Sequence, residues 1–136
     1  MKKSNYLLII ILLFTFIAKA QDVKFKDNKV LVDKTARFDF IRKGLGDEFS
    51  LYKLNTKDEI IYMALDRNGS NQYQDDDFKR FTFIESKIIV ESSRLKFTTW
   101  KSIIELLLEE KILDLEGNID VTNLEKFVAK YNDMKR

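Results

Sequence analysis

Cysteine, histidine and proline are all absent from the 136 residues, and only four residues are glycine. Without cysteine there are no disulfides, no thiol redox chemistry and no lipid carried on an N-terminal cysteine. Without histidine, the Ser-His and Cys-His nucleophiles, the usual zinc sites and histidine-ligated haem are closed. The scarcity of proline and glycine leaves no linker or low-complexity stretch to divide the chain. No Gly-rich phosphate cradle of either common spacing occurs, and Gly44-Leu45-Gly46 is only a loop. What survives is carboxylate, lysine and tyrosine chemistry, and nothing assigns a catalytic residue, a cofactor or a metal.

The N-terminus does carry a signal. Lys2 and Lys3 precede an uninterrupted apolar stretch from Leu7 to Ile17, followed by Ala18-Lys19-Ala20. A positive start, a short apolar run and small residues before the cut describe an export signal, cleaved before Gln21. Eleven residues make a helix of about 17 Å, too short for a hydrocarbon core of about 30 Å, so no stable membrane anchor is expected after cleavage. Residues 1–20 hold three of the 24 basic side chains and none of the 22 acids, which leaves the mature chain at a net charge of −1. That balance gives nucleic acid no field to bind to. Residues 21–136 are expected to form a single domain, periplasmic or secreted.

From Gln21 to Glu91 the pattern has mostly a period of two, broken by Asn, Asp, Gly and Lys, as in a run of antiparallel strands. Val23 and Phe25 alternate with Lys24 and Lys26, and Val30 and Val32 follow after a tight Asp27-Asn28 turn. Phe38 and Phe40, Phe49 and Leu51, Phe81 and Phe83, and Ile88 and Val90 continue the alternation. Ile60 to Leu65 is apolar on both parities, which suggests a central strand with both faces at least partly covered. Residues 92–98 either extend the last strand or form a loop that carries Leu95 and Phe97 into the core.

After residue 98 the period changes. Trp100, Ile103, Ile104, Leu107 and Leu108 recur at i, i+3, i+4, i+7 and i+8, with Lys101, Ser102, Glu105 and Glu109 opposite. This helix is expected over 99–113, capped by Thr98 or Thr99 and anchored by Trp100. A second helix is expected from Thr122, where Thr122 to Glu125 reads as a capping box and Leu124, Phe127, Val128 and Tyr131 form the apolar stripe. The expected fold is therefore α+β: an antiparallel β-meander of six or seven strands followed by two C-terminal helices packed on one sheet face.

Candidate contact residues lie where the strand pattern fails, between Arg67 and Phe78. Tyr73, Asp75, Asp76 and Asp77 are the candidates, because long loops on rigid scaffolds often carry binding groups. Three consecutive acids could offer oxygens to calcium, but they point in different directions on an extended chain. A glycosidase pair would need a distant partner such as Asp66, Glu85 or Glu91. Asp114, Glu116, Asn118, Asp120 and Glu125 fall on calcium-loop spacings, but Ile119 stands where the sharp turn needs glycine.

These features describe an exported, non-catalytic bacterial protein that binds another envelope or extracellular protein, as an inhibitor or accessory. One alternative is a small carrier for a hydrophobic ligand, lined by Tyr62, Met63, Tyr73 and the phenylalanines. Another is a carboxylate-based hydrolase of envelope polysaccharide.

Overall fold

The computed structural model describes residues 21–67 and 76–134. Residues 1–20, where an export signal is expected, and residues 68–75 and 135–136 lie outside them. Seven antiparallel strands form one sheet in the order of the chain: β1 (Val23–Lys26), β2 (Lys29–Val32), β3 (Thr35–Lys43), β4 (Glu48–Lys53), β5 (Glu59–Asp66), β6 (Phe78–Phe83) and β7 (Ile88–Ser92). Two helices follow, α1 (Trp100–Glu109) and α2 (Val121–Tyr131). The fold is the expected α+β meander.

The hairpins follow from local chemistry. Asp27 and Asn28 both take positive φ, as do Asp33 and Lys34. Two-residue hairpin turns need that conformation, and short polar side chains adopt it at least cost. In β5 the pairing shifts between Leu51 and Tyr52, so Ile60 is an extra residue in the ladder. The bulge lets Ile60 and Ile61 both be buried. The adjacency of Ile60 and Ile61 in the core therefore comes from the bulge, while Tyr62 and Ala64 on the opposite face are half-buried, so β5 is an interior strand with both faces at least partly covered.

One sheet face carries Val23, Val30, Phe38, Phe40, Phe49, Leu51, Ile61, Met63, Phe81, Phe83 and Val90, and the helices close over it. α1 runs beside β1 and α2 beside β7. All five residues of the α1 stripe are buried. Trp100 lies 5.8 Å from the Phe49 ring, and Phe127 of α2 meets Phe81 edge-on at 5.9 Å. Aromatic pairs at such spacings add to the stabilisation that burial supplies.

Three local readings are corrected. α1 ends at Glu109, four residues before Leu113, and residues 110–120 form a looped connection pinned by a bridge between Leu113 and Ile119. α2 is capped by Asp120, whose carboxylate accepts from the Asn123 amide at 3.0 Å, so Thr122 is already helical. Asp at this position accepts from the first turn as well as threonine does, and its charge suits the helix N-terminus. In the 93–98 segment Leu95 enters the core, but Phe97 is 72 % exposed.

The C-terminal residues close one sheet edge. Asp133 and Met134 donate their backbone N–H to the Glu91 carbonyl, while the Asn132 and Asp133 side chains accept from the amides of Glu91 and Ser93. The outward-facing backbone N–H and carbonyl of Glu91 are thereby satisfied.

Candidate binding face

The helices cover one face of the sheet, and among the described residues no helix lies on the other. Strand register brings Ile41, Ser50, Tyr62, Thr82 and Ile89 into a single row across β3 to β7. Its two ends are the most accessible part: Ile41 is 45 % and Ile89 52 % exposed. On one side runs a second row, Lys43, Glu48, Ala64, Arg80 and Glu91, and on the other Asp39, Tyr52 and Glu59. An apolar and hydroxyl row between two charged rows is the outward half of the same alternation that built the core.

Hydrogen bonds hold these side chains in place. Tyr62 donates its hydroxyl to Glu48, and this bond, together with burial, pushes the phenol up to about 12. Arg80 bridges strands, with Nη2 2.9 Å from Asp66 Oδ2 and Nε 3.1 Å from Glu91 Oε2. At the β2 side, Lys29 Nζ reaches Asp39 Oδ1 at 2.6 Å and Asn55 Oδ1 at 2.8 Å. Beside that pair a shallow cleft of about 670 Å³ opens between the Asp27-Asn28 turn and the Thr56 loop, with Ile41, Tyr52 and Glu59 in its wall. The face is thus pre-ordered, which lowers the entropy lost when a partner fixes it.

A different arrangement occupies one end of the sheet. Lys79, only 4 % exposed, directs its ammonium to the carbonyls of Leu95, Lys96 and Thr98 and lies 5.0 Å from the Trp100 ring. Burial pushes this lysine down to about 8, and the charge of Asp47 pulls it partly back. Its three donors all have backbone acceptors, so Lys79 is a clamp on the 95–98 segment and not an available nucleophile. Nearby, Asp47 accepts from Arg67 Nε at 3.1 Å and Nη2 at 3.2 Å. That pairing holds the guanidinium above its ordinary range.

Of the candidates in the strand-free stretch, Tyr73 and Asp75 lie outside the described residues. Asp76 is half-buried, and Asp77 is buried at 3 % exposure. Asp66 and Glu91, considered as distant acid partners, both meet Arg80 on the uncovered face. Met63, Phe38, Phe40, Phe49, Phe81 and Phe83, considered as a ligand lining, are packed beneath the helices, whereas Tyr62 and the buried Phe78 stand on the opposite face.

The calcium-loop spacing has another explanation. Burial pushes Asp114 up, but the amides of Asn118, Glu116 and Gly117 and the Asn118 side chain together hold its carboxyl below the ordinary range. Asp114 accepts at 2.8 Å from Asn118 and 2.9 Å from Glu116, so it folds the loop, while Asp120 caps α2. Among the described residues no three acids are grouped so as to hold a metal, and no helix is long and apolar enough to cross a membrane.

Inspection of the alternation alone would have found Lys79, since it shares parity with buried Phe81 and Phe83. Its three carbonyl partners depend on the path of the 95–98 turn and carry no such signal. No protein-family model matches this chain, and neither a curated protein nor a solved structure matches it.

Proposed function

We propose that the protein is an exported, non-catalytic interaction module that meets another envelope or extracellular protein through the uncovered sheet face. The observation that carries this reading is the row from Ile41 to Ile89, which ends in two isoleucines half in water and is flanked by ordered charges. Exposed apolar side chains within a polar rim have the composition of a contact surface. The chemistry excluded by the missing histidine and cysteine, and the use of Lys79 as a clamp, argue in the same direction. The export signal expected in residues 1–20 supports an encounter outside the cytoplasm.

The test is site-specific photocrosslinking in the exporting host, with the probe at position 41, at position 89, or on the exposed α2 face at Lys126. Adducts confined to 41 and 89, and lost in an Ile41→Asp/Ile89→Asp background when the probe is moved to Ser50, support the reading. Adducts from none of the face positions, or equally from 126, refute it.

A further inference from the structure

The connection between the two helices borders a cleft of about 880 Å³, which lies between the C-terminal half of α1, residues 111–120 and Gln21. Cavities that hold a compact ligand measure roughly 300–1,000 Å³, so a short stretch of a partner fits here and a whole domain does not.

The fold itself fixes the walls. Leu113 bridges to Ile119, the Asp120 amide donates to the Ile112 carbonyl at 2.8 Å, and the Asn123 side chain donates to the Lys111 carbonyl at 3.0 Å. Gly117 sits close against Ile60 and Lys53, which seats the connection on the sheet. A site already in its binding shape loses less entropy when it is filled.

The lining combines two chemistries. Leu108 and Ile112 are buried and Leu115 and Ile119 half-buried, and together they supply the apolar part. Around them stand Glu105, Glu109, Asp114 and Asp120 against one cation, Lys111. The mature chain as a whole carries only −1, so negative charge is concentrated here. Asp114 and Asp120 accept from neutral amides, which leaves their charge uncancelled. Lys101 reaches Glu105 at 3.9 Å, an exposed pair of small worth, and Lys130 is taken by Glu110.

We propose that this cleft receives a short basic segment of a partner protein. Aliphatic side chains of the segment pack on Leu108, Leu115 and Ile119, and the lysines or arginines flanking them meet Glu105 and Glu109. These two glutamates are one helical turn apart, so cations spaced along a single short segment reach both. An acidic segment or an anionic lipid is repelled by the same rim, and a neutral lipid chain leaves the rim unpaired. The cleft shares no residue with the Ile41 to Ile89 row, so either proposal can fail without the other.

The test titrates the purified protein, with its N-terminus verified, into fluorescently labelled acetyl-Lys-Leu-Leu-Lys-amide and follows anisotropy, while NMR amide shifts locate the contact. Saturable binding is expected, with shifts centred on residues 105–120. Glu105→Gln/Glu109→Gln weakens it about tenfold, as does added salt. Neither side chain belongs to the core, and unchanged Trp100 emission verifies that the double variant is folded. The Glu-Leu-Leu-Glu and Lys-Ser-Ser-Lys analogues bind about tenfold more weakly or less. Lack of saturation, binding that survives the double substitution, equal binding of either analogue, or shifts centred elsewhere overturns the proposal. A second copy of the chain seated in the cleft of the unliganded protein overturns it as well.

Discussion

The Trp100 indole nitrogen donates to the Gly46 carbonyl across 2.7 Å, joining the first residue of α1 to the β3–β4 turn 54 positions earlier. The same ring lies against Phe49 and beside the Lys79 ammonium, so one side chain ties a helix, a turn and two strands together.

Two substitutions separate the packing from the hydrogen bond. Trp100→Ala removes both and is expected to cost about 3–5 kcal/mol, a large share of a typical domain's stability. Trp100→Phe keeps most of the ring contact and leaves the Gly46 carbonyl without its donor, for about 1–3 kcal/mol. Urea unfolding midpoints measure both, and equal losses would mean that the hydrogen bond carries the contact.

Stability should pass through a maximum near the alkaline end of the pH range. Lys79 has a folded value of about 8 against an ordinary 10.5, so between these values the unfolded chain holds the extra proton and stability rises with pH. The slope is at most about 1.4 kcal/mol per pH unit. Tyr62 acts in the opposite sense: its phenol is raised from 10 to about 12, so its contribution is complete below pH 10 and is lost as pH rises through 12. Denaturant titrations from pH 7 to 12 should show the rise vanish in Lys79→Met and the fall vanish in Tyr62→Phe.

The connection between the helices depends on Gly117. Its φ is +87°, and a Cβ there would come within 2.9 Å of both Ile60 Cδ1 and Lys53 Cγ. Gly117→Ala is expected to cost about 1–3 kcal/mol through strain and overpacking. Gly46→Ala, at φ +93° with open space around it, meets the strain alone and should cost less. Thermal midpoints of the two variants provide the comparison.

The helix cap makes a sharper test. Asp120→Ala removes the acceptor for the Asn123 amide and should cost about 1 kcal/mol, whereas Thr122→Ala should fall within about 0.5 kcal/mol of wild type. The reverse order would restore Thr122 as the cap.

The sheet and both helices were legible because their signals are periodic. Alternation through Val23, Phe25, Phe38, Phe40, Phe81 and Phe83, and the stripe from Trp100 to Leu108, each bury the face they predict. Single-residue events were not legible. The bulge at Ile60 puts two consecutive isoleucines into the core, which alternation does not foresee, and Asp120 competes with Thr122 for the same cap. Phe97 looks like a core residue until the Lys79 clamp fixes the turn that leaves it in water. The uncovered row was implicit in the polar half of the alternation, but its membership depends on register across five strands, which no local pattern specifies.

The face opposite the helices is the working surface that we propose. The most direct measurement is photocrosslinking in the native host from positions 41 and 89, compared with position 126 on α2. The account predicts one discrete adduct from the first two and none from the third. Silence from the sheet face, or equal adducts from all three positions, would contradict it.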